Sequence, residues 1–423
     1  MKENSSEKID FQLASNLMII PLEVNGVMLS FVLDTGVSKP ILFNLSENDS
    51  LDLKATKTFY LHGLGGDGKL KAIKTSQNRL KLGDAVGFNQ DMYVVFDSDI
   101  NFTPRLGVLV HGLIGYDIFK GFVVEIKYSS KYIRLHKPNS FQPKSSKKWK
   151  TLPIHIHNKK SYLDAKVTID TIETPVKLLI DTGSSDALWL FENEKMGLKP
   201  KSNLIFDDYL GKGLSGSIYG KRSKVNNFKL NVFDLIGANV AFPDSLSLDI
   251  AKVYRDRNGS IGGGILKRFN TFFDYTNKKL YIKKNKLFKE PFSYNNSGIV
   301  LEYNGNMFVK EEIKTKSPNT GYTDGDISVQ ISRSINFRMS LKPVYRIVEI
   351  RMSSNAYVSG LRKGDVLITI NGKPAYNYKL FEINTILYDK TGKKIRMTIE
   401  REGEEKTFKF SLDNVFEKNK PSN

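Results

Sequence analysis

Leu178-Leu179-Ile180-Asp181-Thr182-Gly183-Ser184-Ser185 is an apolar run with a β-branched end that stops at a carboxylate and a turn of small residues. The run reads as a buried strand. A carboxylate at the end of such a strand is costly unless something pairs with it. The same arrangement occurs earlier, as Phe31-Val32-Leu33-Asp34-Thr35-Gly36. Alone, one Asp-Thr-Gly reads as an ordinary turn after a strand. Two copies point to two facing carboxylates.

The copies keep register. Asp34 and Asp181 lie 147 residues apart, and so do Gly115 and Gly262, Tyr128 and Tyr275, and Gly66 and Gly213. Leu113-Ile114-Gly115 therefore matches Ser260-Ile261-Gly262, each glycine 81 residues after its aspartate. The period is too long for a solenoid repeat, so the pattern predicts two duplicated lobes of one fold.

Short apolar stretches separated by glycine and asparagine turns make the chain mainly β. Leu17 to Leu22, the Asn25-Gly26 turn and Met28 to Leu33 read as a hairpin feeding Asp34. Expected boundaries are 1–140 for the first lobe, 148–290 for the second and 292–415 for a third domain. A polar, basic stretch from Lys137 to Lys150 reads as the linker between the lobes.

Gly63-Leu64-Gly65-Gly66-Asp67-Gly68 lies between strand-like segments. No Gly-Lys-Ser/Thr follows, so it is no phosphate loop. It reads as the tip of a mobile hairpin, with Gly63, Gly65 and Gly66 as its hinge residues. Gly211 and Gly213 mark the corresponding hairpin of the second lobe.

Composition limits the function classes. The chain has 423 residues and no cysteine, so disulfides, thiol nucleophiles and thiolate metal sites are excluded. The formal net charge of +19 comes from lysines scattered along the chain in short runs. Polyanion binders cluster their charge, so no nucleic-acid partner is expected. No apolar run reaches the length of a membrane span, and membrane association stays open. Residues 1–10 are polar and charged; a periplasmic or cell-envelope location is expected if a signal segment has been removed. His155 and His157 share a strand face but have no third ligand at metal spacing, so neither a metal nor another cofactor is expected.

With Leu188-Trp189-Leu190, the segment Asp181-Thr182-Gly183-Ser184-Ser185 resembles the active-site segment of pepsin-like aspartic proteases. The pairs Asp34-Thr35-Gly36 with Leu113-Ile114-Gly115, and Asp181-Thr182-Gly183 with Ile261-Gly262, resemble the wider family that includes retroviral proteases. The duplicated arrangement, with Phe273-Asp274-Tyr275 near the end of the second lobe, is similar to bacterial retropepsin-like proteins. The sequence departs from the pattern at Val37, where a small residue is usual. It departs again at Glu125-Ile126-Lys127-Tyr128, where the second lobe has Asp274-Tyr275.

The resemblance implies β-barrel-like lobes, a cleft between them and an aspartic-type endopeptidase acting on protein or peptide substrates. Asp34 and Asp181 would share one proton. The ionised member takes a proton from water, and the protonated one donates toward the substrate carbonyl. Thr35, Gly36, Thr182 and Gly183 would support the two loops, and Ser184 would bond Asp181. A catalytically silent peptide-binding or scaffold protein of the same fold is the alternative.

Residues Asn355 to Leu367, followed by Ile370-Asn371-Gly372, resemble a bacterial PDZ domain. That resemblance implies a site for a peptide C-terminus at Ser297, Gly298, Ile299 and Leu301, with residues 306–343 inserted before the next strand.

Overall fold

The computed structural model describes residues 6–45, 51–61, 70–96, 100–143, 146–214, 216–244, 254, 256–313 and 336–416. Strands dominate it.

In the first lobe Leu17–Val24 and Val27–Leu33 form the expected hairpin through Asn25-Gly26, both residues at positive φ. Alternation in Leu17–Val24 sends Met18, Ile20, Leu22 and Val24 into the core while Pro21 faces out. The strand Val27–Leu33 then pairs in parallel with Gly112–Ile114, Phe31 opposite Gly112. In the second lobe Ile172–Ile180 pairs in parallel with Gly259–Ile261, Leu178 opposite Gly259. Both partners of the second pairing lie 147 positions after those of the first. The sheets around these pairings have eight and ten strands.

A third sheet joins the lobes. Its six strands run in the order Ser6–Asp10, Tyr132–His136, Val123–Lys127, Phe269–Asp274, Lys279–Lys284, Lys150–Pro153. Val123–Lys127 meets Phe269–Asp274 antiparallel at its centre, Val124 opposite Phe273. The stretch read as a linker ends where an edge strand begins, Lys150–Pro153, held against Lys279–Lys284. One apolar cluster runs through both lobes, from Ile20 and Phe31 to Phe228 and Phe273.

The third region has its own core, built from Ile299, Leu301, Ile347, Ile383, Met397 and others. It contains the sheet of Ile299–Ile313, Asn336–Ile350, Val366–Ile370, Lys394–Arg401 and Glu404–Ser411, with the helix Leu380–Leu387 packed on it. The described parts of the expected 306–343 insertion continue the two long strands as a ribbon, Phe308 opposite Leu341. Among the described residues no helix is long and apolar enough to cross a membrane.

Arg268 fixes the exit from the second lobe. Its side chain is 2 % exposed. It donates to the carbonyls of Gly264 at 3.0 Å, Phe288 at 3.1 Å and also Glu290, and it stacks on the Phe292 ring at 3.7 Å. Removing it strands several buried carbonyls at once. Arg268→Ala is therefore expected to cost about 3 kcal/mol, at the upper end for bonds to a charged group. Urea unfolding of the full chain measures this; a loss near zero contradicts it.

Candidate active site

Each Asp-Thr-Gly turn is placed by the parallel pairing that precedes it. The backbone N–H of Asp34 donates to the Ile114 carbonyl at 2.8 Å, and that of Asp181 to the Ile261 carbonyl at 2.9 Å. This explains the glycine 81 residues later. A Cβ on Gly115 would stand 1.8 Å from the Asp34 carbonyl oxygen.

The two turns grip each other through their threonines, both buried. Thr35 Oγ1 donates to the Ile180 carbonyl at 2.6 Å and accepts from the Thr182 amide at 3.0 Å. Thr182 Oγ1 donates to the Leu33 carbonyl at 2.7 Å and accepts from the Thr35 amide at 3.0 Å. Each hydroxyl thus joins the opposite lobe twice.

The carboxylates then converge. A Cβ on Gly36 would stand 3.0 Å from Asp34 Oδ1 and 3.3 Å from Asp181 Oδ1, and one on Gly183 would stand 2.2 Å from Asp34 Cγ. Glycine is required at Gly183 because the opposing carboxyl occupies that space. The amide of Gly36 donates to Asp34 Oδ1 at 2.6 Å, and that of Gly183 to Asp181 Oδ1 at 3.0 Å. Ser184 meets Asp181 through the backbone, its amide donating to the Asp181 carbonyl at 3.3 Å. Its hydroxyl instead lies against Gly262.

Burial, then the charge of Asp181, raises Asp34 to about 8. Burial also raises Asp181, opposed by Arg257 and Lys160. The shared proton belongs to the pair. Four further residues surround the pair, of which the sequence marks only Tyr128 and Tyr275, as anchors of the 147-residue register. Lys160 and Arg257 act electrostatically on Asp181. Tyr128 of the first lobe faces Asp181 electrostatically, and Tyr275 of the second faces Asp34. The Tyr128 and Tyr275 match by 147 residues was the available signal; Lys160 and Arg257 carry no motif.

The expected hinge residues Gly63, Gly65 and Gly66 lie outside the described residues. Gly211 and Gly213 lie in Phe206–Gly213, which pairs with Gly216–Lys224. A register shift between Tyr209 and Gly211 bends this hairpin. Leu214 at its turn packs against the smaller apolar cluster of the first lobe, and Arg105 of that lobe stacks on Tyr209 at 4.3 Å. The hairpin therefore crosses from the second lobe to the first.

In the third region Ile299 and Leu301 are 1 % and 2 % exposed and point into its core, so they do not line an open pocket. The Ser297 amide donates to Asn295 Oδ1 at 3.1 Å, and the Ile299 amide to Ser297 Oγ at 3.0 Å. Gly298 does take positive φ, at 71°. His155 pairs with Asp164 at 3.2 Å, and His157 stacks on Tyr254 at 4.5 Å. Among the described residues there is no group of three or more His, Cys, Asp or Glu that could hold a metal.

Residues 20–118 match the family model described as aspartyl protease. That segment holds Asp34-Thr35-Gly36 and the Gly112–Ile114 strand paired beside it. No curated protein matches the chain.

The raised acids give a stability prediction. The folded pair holds a proton that an unfolded aspartate releases near its ordinary value of 3.8. The fold therefore binds more protons than the unfolded chain, and stability falls as pH rises from that value toward about 8. Asp34→Asn removes the penalty. Its Tm is expected to exceed that of the wild type by a few degrees at pH 8, with a smaller gap at pH 4. Equal Tm values at both pH values contradict the coupled pair.

Thr35→Val tests the grip, since valine keeps the shape but neither donates nor accepts. It is expected to lose about 3 kcal/mol of stability in denaturant unfolding, and Thr35→Ser should recover most of it.

Proposed function

We propose that this chain is an aspartic-type endopeptidase of duplicated, two-lobed form, with Asp34 and Asp181 as its catalytic dyad. The observation that carries the reading is the convergence of the two carboxyls across threonines that bond reciprocally from lobe to lobe. Such a pair holds one proton over a wide pH range, because two buried like charges cannot both ionise. The ionised carboxylate takes a proton from a water whose oxygen adds to the scissile carbonyl carbon, and the other carboxyl donates its proton to the carbonyl oxygen. The resulting tetrahedral species collapses as a proton reaches the leaving nitrogen. An extended peptide suits a cleft crossed by a hairpin that excludes water.

The third region is a PDZ-like module in this reading. Its contacts favour a module docked on the protease lobes over one offering an open groove. Glu302 accepts from Arg105 Nε of the first lobe at 2.9 Å, and Gly107 packs against Leu380 at the start of the helix. The Ser297 and Ile299 amides are already bonded within their own loop. A peptide carboxylate at that loop would have to displace those bonds.

Incubating the protein with a diverse peptide library across acid to neutral pH tests the hydrolase. Cleavage is expected in the wild type. It should fall at least a thousandfold in Asp34→Asn and in Asp181→Asn, with both variants still folded. Near-wild-type turnover in either variant excludes the dyad. No cleavage by the wild type, with peptides still bound, favours the silent binder. Matched free-acid and amidated peptides should bind the full chain equally weakly if the module is docked; strong preference for the free acid would show an open carboxylate site.

A further inference from the structure

We propose that Arg222 is a positioning residue that ties the catalytic loop of the second lobe to the hairpin crossing the cleft. Arg222 lies on Gly216–Lys224, the returning strand of that hairpin. Its side chain is 11 % exposed. Nη1 donates to Asp186 Oδ1 at 3.0 Å and Nε to Asp208 Oδ2 at 2.7 Å, so one guanidinium spans two carboxylates. Burial opposes its charge, and the two carboxylates more than offset that.

The two acids sit on different machinery. Asp186 is five residues past Asp181, on the loop that carries the Asp-Thr-Gly turn. It also accepts from Trp189 Nε1 at 2.6 Å, which fixes its rotamer. Asp208 lies on the outgoing strand of the hairpin, next to Tyr209, on which Arg105 of the first lobe stacks. Arg222 is thus the joint between the loop that aims a carboxylate and the hairpin that reaches the first lobe. A planar fork suits the task, since it fixes direction as well as distance.

The first lobe is fastened differently. The position 147 residues before Asp186 is Lys39, which stands 3.9 Å from Asp91 and 3.9 Å from Asp117. The sign is inverted and the pairs are longer. In the second lobe the guanidinium of Arg222 links the hairpin to the catalytic loop directly.

The inference rests on the proteolytic reading, and its test separates the two. The substrate is the best-cleaved peptide from the library. Asp208→Asn loosens the guanidinium within the hairpin, where its Nη2 still donates to the Tyr209 carbonyl at 3.4 Å, and leaves the bond to Asp186; it is expected to raise KM about tenfold and leave kcat within twofold. Asp186→Asn cuts the loop side; it is expected to lower kcat about tenfold and leave KM within twofold. Arg222→Lys keeps the charge without the fork and should show both effects. A purely structural role would lower the active fraction, moving kcat by the same factor in both Asp variants without touching KM. That result, or wild-type constants in both, overturns the proposal. Hydrogen exchange gives a readout that needs no turnover: the amides of residues 206–213 should exchange about tenfold faster in Asp186→Asn, which leaves the hairpin's own Arg222–Asp208 pair in place. Unaltered exchange overturns the joint. A wild type that cleaves nothing refutes the proteolytic reading alone, and exchange then decides for Arg222.

Discussion

Two buried carboxyls held face to face repel each other and lose hydration, and everything near the cleft of this protein answers that cost. The answer is mostly backbone. Four threonine bonds cross from one lobe to the other, and two glycine amides point at the carboxyl oxygens. The threonine bonds fix geometry, while the two glycine amides also favour the charged carboxylates and so work against burial. Charge enters from the side, through Lys160 and Arg257, and acts more on Asp181 than on Asp34. The lobes therefore match in backbone and differ in electrostatics.

Much of this was legible in the sequence because close approach leaves few residue choices. Gly115 and Gly183 have no space for a side chain, and such positions show up as motifs. Asp34, Thr35, Asp181 and Thr182 stand out because both turns repeat them at the same 147-residue offset. The joining sheet was not legible. Its central pairing, Val124 opposite Phe273, links segments far apart in the chain, and nothing local specifies such a register.

Side-chain direction also escaped the sequence. Ile299 and Leu301 alternate with Val300, which marks one apolar face without saying whether a core or a ligand covers it. The core covers it: Ile299 and Leu301 are buried in it. Arg222 was missed because its partners, Asp186 and Asp208, come from two segments whose meeting depends on the hairpin's fold. Long-range ion pairs leave no spacing rule behind.

The seam at Val123–Lys127 has a bearing on how such a chain could have arisen. Without the second lobe this strand would present an apolar, unpaired edge, with Val123, Val124 and Ile126 on it. An antiparallel edge of that kind is self-complementary: a copy of itself, turned by a half rotation, satisfies it as Phe269–Asp274 does now. The same rotation would carry Asp34 onto the place of Asp181. The joining sheet thus preserves, within one chain, the geometry of a symmetric pair.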